Sequence, residues 1–571
     1  MAEPKALEAG RRTSALGFGL AALASVAFGL SFGFNYGVGN QVTYLIPALR
    51  RLDPELFSRD WFATQTTQYH PVFAELGAAL LSLDRHGWAV AIGLTLTVTC
   101  AMLCLSVLAR LLAGPRAGVA VFLAVVALAF ATQTRGPALT YVFDRELQPS
   151  SLSSACLMGA VLAFAAGRFV TSSVLLALGG LFHLNFLLLS APAFAFAHLV
   201  LGRRGLGARL VRQLALPTAC AGLFLPMFLK AAAASPHAAL GRHIYLAIRA
   251  PHHFALGQSL GDFAPLAAWL WLAAAAVVPL LRAPAREPLL RLAACAAGMA
   301  AVVTVGTLAG LVSERAATIF AWRLAPHAEL LLALGSIAAG VRVLVEPALA
   351  RHFGRWSRSA AALGFALVLG TYVARRDLVP AQVVALGGLA GFVAWRALPA
   401  WRHAKPELLA AVALALLVGF GVGPLARIAR HSSLLASASP ARGLHAWMRE
   451  KTPKQSLFLT PPADDSLRFF GERAIVVDWK GNPAVPDEVL AWYRRVEDVT
   501  GRPGFTDESA LEGYDTLDAT RLEALRARYG FDYAVVRRGR EAPLGGFARA
   551  FEDEHFVVLK LPPAARAARA P

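Results

Sequence analysis

Apolar runs of about 20 residues, the length a helix needs to cross a bilayer, recur through most of the chain and cease near Val422. In order they predict spans over Ser14–Phe34, Trp88–Leu112, Ala117–Ala131, Leu152–Ala166, Leu214–Lys230, Ala264–Leu281 and Leu289–Leu311. One more ends near Leu344, and Ala360–Val373, Val379–Trp395 and Leu408–Val422 follow. The run Val174–Leu201 is too long for one helix and ends at the basic RRGLGARLVR. Two short helices broken near Gly179–Asn185 keep those arginines on the side of the other basic loops, with His183 and Asn185 at the turn. Irregular backbone at that depth is tolerated only where protein or a wet cavity surrounds it. His183 is therefore a candidate cavity-lining residue. The pattern predicts about thirteen spans in an all-α polytopic membrane domain, over residues 14–437 after a short basic N-terminus at 1–13.

From residue 438 to 571 the apolar runs shorten. SLFLTPP and RAIVVDW read as strands, PDEVLAWYRRVEDVTG and DATRLEALRARYG as helices, DYAVVRR and HFVVLKL as closing strands. This is a small soluble α/β domain. It carries neither a Gly-rich phosphate loop nor a nucleophile elbow, and reads as an accessory domain rather than a catalytic one.

Composition agrees with the pattern. Hydrophobic residues make up 57% of the chain and charged residues 16%, where a soluble protein carries roughly a quarter charged. Mean hydropathy is +0.53. The net charge of +19 lies in arginine clusters between apolar runs, as the positive-inside rule produces. No basic stripe is interleaved with aromatics, which excludes a nucleic-acid partner. Those clusters orient the chain with a cytoplasmic N-terminus and a long outer loop at 36–87. An odd number of spans then makes the C-terminal domain extracytoplasmic. Cys100, Cys104, Cys156, Cys220 and Cys295 all lie in apolar runs and read as small packing residues. The first apolar run follows Lys5, Arg11 and Arg12 and reads as a retained anchor.

The chemistry-bearing residues concentrate in the outer loops. Tyr36–Pro71 offers Asn40, Asp53, Glu55, Asp60, Gln68 and His70. The second loop offers Arg135, Tyr141, Asp144, Arg145, Glu146 and Gln148; the third Arg242, His243, Tyr245, Arg249, His252 and His253; the fourth Glu314 and Arg315, with Arg323. Carboxylates beside histidines hold a divalent cation or act as acid and base. Arginines suit a phosphate or pyrophosphate. Structural readings stand beside these: Asp53 before Pro54 fits a helix cap, and adjacent histidines point apart unless a turn bends them together.

The order of a basic N-terminus, one anchor, an acidic outer loop, many spans and an outer α/β domain resembles the GT-C membrane glycosyltransferases. GNQVTYLIPALRRLDPELFSRDWF is similar to the first-loop run of the aminoarabinose and protein O-mannosyl transferase branches, with Arg59-Asp60-Trp61 in the place of a Gly-Asp-Trp element. LQPSSLSSACLMGAVLAFAAGRFVTSSVLLALGGLFH resembles the fourth and fifth spans of such proteins, and HAWMREKTPKQSLFLTPP leading to DYAVV resembles their tail. The resemblance implies an inner-membrane transferase of bacterial type that takes a sugar from a polyprenyl-phosphate carrier, with lipid-linked sugar and membrane lipid as its partners. The family's catalytic acid falls at Asn40-Gln41, where this chain has two amides that neither accept a proton nor give a metal a charged ligand. The role then passes to Asp60, supported by Asp53. Arg249 and Arg145 hold the donor phosphate, His252 or His253 serves as metal ligand or proton carrier, and Asn40 lines the cavity. A divalent metal ion is the one cofactor this reading admits. The alternative is a non-catalytic carrier or scaffold that binds a lipid-linked sugar.

Overall fold

The computed structural model describes residues 3–562 apart from 233–234, 257–259, 283–286, 375–427, 429–431, 436–438 and 545. The expected spans Val379–Trp395 and Leu408–Val422 lie outside the described residues. Among the described residues, five helical stretches are long and apolar enough to cross a membrane: Trp88–Ala113, Leu260–Leu280, Glu287–Val312, Glu314–Val343 and Arg355–Ala374. Shorter apolar helices accompany them at Gly17–Leu30, Pro71–Leu83, Ala117–Thr132, Pro149–Ala165, Phe169–Phe182 and Leu184–Val200. The chain is a multi-pass membrane protein.

The long apolar run breaks at His183. Helix Phe169–Phe182 ends there and Leu184–Val200 begins, with His183 at φ −147°, ψ 96°. Gly179 and Gly180 precede the break because neighbours crowd them. A Cβ on Gly180 would lie 2.6 Å from Leu187 Cδ2, and Ser153 Oγ donates to Gly179 O at 2.7 Å. Asn185 Nδ2 then ties the restart to Ile319 O at 2.6 Å. Helix Leu184–Val200 also meets Glu287–Val312 closely, since a Cβ on Gly298 would lie 2.2 Å from Ala193 O.

The C-terminal domain holds five strands, β1 (Leu457–Leu459), β2 (Ala474–Ile475), β3 (Tyr533–Arg537), β4 (Ala548–Glu552) and β5 (Phe556–Lys560). Their order is β2-β1-β3-β5-β4, with β1 parallel to β2 and β3, and β5 antiparallel to β3 and β4. The one unanticipated strand is β4. It is a half-exposed edge strand, without the apolar run that marks the buried β3 and β5. Helices Pro486–Thr500 and Ala519–Tyr529 end on Gly501 and Gly530 at φ +65° and +66°, the left-handed cap that glycine adopts most readily.

This domain docks on the end of the bundle that carries the polar loops. Tyr36 meets Phe469 edge-on at 5.3 Å between ring centroids, and Arg495 lies 4.0 Å above the Trp61 ring. Ile244 belongs to the domain's apolar core, with Tyr245, Ile248 and Trp61 packed against it. Thr67 N donates to Glu488 Oε2 at 3.0 Å. The loops and the domain thus form one surface-to-surface junction.

Candidate functional site

The second loop carries unusual backbone. Gln133, Thr134, Ala138 and Leu139 all have φ between +52° and +54°, a left-handed conformation that costs a non-glycine residue about 1 kcal/mol or more. Val142 N, which donates to Thr134 O at 3.2 Å, and His253 Nδ1, which meets Ala138 O at 2.9 Å, engage this turn, and the end of the loop packs on the first loop. Gln41 Nε2 donates to Leu147 O at 3.3 Å, and Asn40 Nδ2 donates to Gln148 Oε1 at 3.1 Å. The fold therefore delivers Glu146 to the Asn40 position, where Asn40 N donates to Glu146 Oε2 at 2.7 Å. Gly39 makes room: its φ is +54°, and a Cβ there would lie 1.8 Å from Glu146 Oε1. Partial burial, reinforced by neighbouring Asp144, pushes the Glu146 carboxyl up to about 8.

Lys480, on the turn after β2, reaches this point from the C-terminal domain. Its Nζ lies 3.5 Å from Asn40 Oδ1, and its charge favours ionisation of both Glu146 and Asp465. Burial, with Asp478 nearby, still raises Asp465 to about 6. Arg249 stands next to these groups. Its Nε donates to Trp479 O at 3.0 Å, its guanidinium lies 5.3 Å from the Trp479 ring, and it feels Asp478 and Asp465. His252, exposed, with its ring 4.2 Å from that of His253 and tilted at 53° to it, is held below its usual value by burial, then by Arg249 and Lys480. His253 Nδ1 is spent on Ala138 O at 2.9 Å, and burial lowers this ring to about 4.

Deeper towards the bundle, Tyr44 bridges two groups of charges. Its buried hydroxyl feels Arg323 from below and Glu146 and Asp144 from the loop side. Tyr44 packs edge-on to His70 at 5.1 Å, and His70 lies 4.9 Å from His183. His70 Nδ1 meets Phe182 O at 2.9 Å, and burial holds the ring neutral with a pKa near 4. Arg323 Nη1 lies 2.5 Å from His183 Nε2. A guanidinium only donates, so Nε2 is the acceptor and the His183 proton sits on Nδ1, a buried atom with no hydrogen-bond partner among the described residues. Phe320, at φ +56°, turns the chain so that Arg323 comes to lie 4.6 Å from the Phe320 ring centroid. Among the described residues no carboxylate pairs with Arg323. A cavity of about 90 Å³ beside this group is lined by Tyr44, His70, Tyr69, Gln68 and Asn482.

The remaining expected site residues are engaged elsewhere. Asp60 is 0% exposed. Its carboxylate accepts from Ala63 N, Ile475 N and Arg468 Nε, each at 3.0 Å, and Arg468 in turn pairs with Asp478 at 2.9 Å. Asp53 pairs with Lys454 at 2.6 Å. Asp60 and Asp53 thus both link the loop to the C-terminal domain. Arg145 is exposed, and its Nη2 lies 3.4 Å from Gln133 Oε1. The metal reading needs a donor set. Asp144 and Glu146 offer two carboxylates, and among the described residues no three His, Cys, Asp or Glu side chains converge to hold an ion. The residues present fit a metal poorly.

Residues 441–499 match the family model described as Domain of unknown function (DUF6798). Comparison with curated protein sequences gives no match. Among solved structures the chain is similar to ArnT from Cupriavidus metallidurans bound to undecaprenyl phosphate, at 15% identity and a TM-score of 0.52, covering 95% of this chain and 97% of that one. The apo state of the same protein gives 16%, 0.49, 95% and 96%. The Archaeoglobus fulgidus oligosaccharyltransferase in complex with zinc and sulfate gives 13%, 0.44, 91% and 68%. At such identities the likeness is one of fold, and the first structure carries it: the chain shares the overall fold of that ArnT structure.

Proposed function

We propose that this chain is a glycosyltransferase of the bacterial inner membrane that moves a sugar from a polyprenyl-phosphate carrier to an acceptor hydroxyl on the extracytoplasmic face. The observation that carries this reading is Arg323. A half-buried guanidinium with no carboxylate partner among the described residues is costly, and an anion that enters with the substrate relieves that cost. A lipid-linked phosphate has the right charge for the planar fork of donors. Undecaprenyl phosphate in the similar fold of ArnT supports the same ligand class.

Glu146 supplies the base. In the transfer the acceptor oxygen bonds to the anomeric carbon and its proton passes to the Glu146 carboxylate. The bond from that carbon to the phosphate oxygen breaks, and the electron pair leaves with the phosphate, which Arg323 holds. A carboxyl with a pKa near 8 is a stronger base than an ordinary one; about one-tenth of it is ionised at pH 7, and that fraction grows as the pH rises towards 8. Lys480 contributes positive charge beside Asn40, and Arg249 offers its remaining N–H groups at the entrance. His252 lies next to Arg249 and takes part in its field. Asp60 and Asp53 act through position, by holding the C-terminal domain on the loops. No step is routed through a metal.

Asn40 in the place of the family's acid favours a second reading, a carrier that binds the lipid phosphate without transfer. Analysis of lipid-linked sugars and glycan product in cells separates the two. Deletion and Glu146→Gln are both expected to accumulate the lipid-linked donor and lose the product. If Glu146→Gln matches wild type while Arg323→Gln matches the deletion, the carrier reading stands. Unchanged pools in the deletion sink both.

A further inference from the structure

The C-terminal domain holds a cleft of about 1120 Å³ that the chemistry above does not use. It lies between the turn after helix Pro486–Thr500, the helical turn Glu508–Thr516 and the end of β3. A volume of this size exceeds what one sugar ring needs and matches an extended small-molecule ligand. We infer that this cleft is the acceptor subsite and that it takes a neutral, hydroxyl-rich carbohydrate chain; the inference rests on the transferase reading for the word acceptor, but not for the binding.

Two observations connect the cleft to the Glu146 site. Glu508, in its wall, acts electrostatically on both Arg249 and His252. Phe505, in its lining, lies 6.0 Å from the Trp479 ring, which the Arg249 guanidinium also approaches, at 5.3 Å. One side of the cleft therefore faces Arg249.

The lining selects the ligand class. Arg502, Arg537 and Arg540 supply donors; Asp507, Glu508 and Asp515 are among the acceptors. Arg537 already pairs with Asp515, and Asp507 accepts from Ser509 N at 2.9 Å. What remains is both signs of charge, nearly balanced, among the hydroxyls of Thr506, Ser509 and Thr516. An acyl chain finds a mostly polar lining there, and a polyanion finds the four carboxylates of Asp507, Glu508, Glu512 and Asp515 against three guanidiniums. Vicinal hydroxyls both donate to carboxylates and accept from arginine, so a neutral saccharide satisfies the two sets together.

The test is saturation-transfer NMR on the full-length protein in lipid nanodiscs, with neutral trisaccharides of glucose, mannose, galactose and N-acetylglucosamine as probes. At least one probe is expected to give transfer, and the Glu508→Ala/Glu512→Ala variant is expected to weaken it by roughly tenfold. Ser509→Trp, which fills the cleft, is expected to abolish it. These positions are exposed, and unchanged thermal melts show that the variants are folded. No transfer from any probe, or transfer that survives Ser509→Trp, overturns the proposal. Probe binding together with unchanged sugar pools in the deletion strain keeps the carbohydrate cleft and removes the transferase; altered pools without probe binding do the reverse.

Discussion

Glu146 shows how far a single residue's role depends on its neighbours. In the sequence it is one of several acids in polar loops, and nothing local singles it out. The fold places it on the Asn40 backbone, and partial burial raises its pKa from 4.5 to about 8. Two pH effects follow, of opposite sign. Transfer needs the carboxylate, so initial rates rise with pH and level off above about 8. Stability runs the other way. The native state keeps a proton that the unfolded chain has lost, so this contribution is complete below about 4.5 and is lost as pH rises through about 8. Rate profiles and thermal melts of wild type and Glu146→Gln check both, since the variant removes the proton and flattens each curve. Gly39→Ala tests the geometry. Its φ of +54° and its contact with Glu146 leave no room for a methyl group. It is expected to cost about 1–2 kcal/mol of stability and to lower transfer as much as Glu146→Gln does. Near-normal transfer in Gly39→Ala speaks against a fixed Glu146.

At the scale of elements, periodicity and glycine placement made the broken run around His183 legible, because one long helix would have stranded its arginines. What the pattern did not contain is the partner. Arg323 comes from a different part of the chain, and only the packing of Leu184–Val200 near Ala321–Leu324 brings its guanidinium to His183. Asp60 illustrates the converse. Within its own loop it caps the helix Trp61–Gln65, a role that the sequence alone suggests for Asp53 instead. The same carboxylate also meets Arg468, more than four hundred residues later, to form a buried pair that sequence distance conceals. Breaking such a pair costs about 3–5 kcal/mol. Asp60→Asn is therefore expected to lower the thermal midpoint and expose the C-terminal domain to limited proteolysis, with lost activity tracking lost protection. Full protection and full stability with activity abolished return Asp60 to a chemical role.

For the whole molecule, the site is a junction rather than a property of either part. Helix ends and loops from the membrane domain supply Asn40, Glu146, Arg249 and Arg323, and the C-terminal domain closes over them with Lys480. The two halves must then face the same compartment, which the proposal makes the extracytoplasmic one. All five native cysteines lie in apolar helices, so a single added thiol reports orientation. Glu552→Cys, on edge strand β4, is expected to react with a membrane-impermeant maleimide in intact spheroplasts. Labelling only after lysis would place the domain, and the site with it, on the cytoplasmic side.

The sequence by itself determined what depends on short range and on solvent. Apolar runs dictate membrane helices, alternation and turn residues dictate most of the small α/β domain, and polar residues are driven into loops at the bundle's end. Tertiary structure alone decided which of those polar residues meet. Burial and unpaired charge depend on the surroundings rather than on the residue type. Asp60 and Glu146 are the same functional group in neighbouring loops, yet the fold saturates one with three donors and leaves the other half-buried beside Lys480 with a raised pKa.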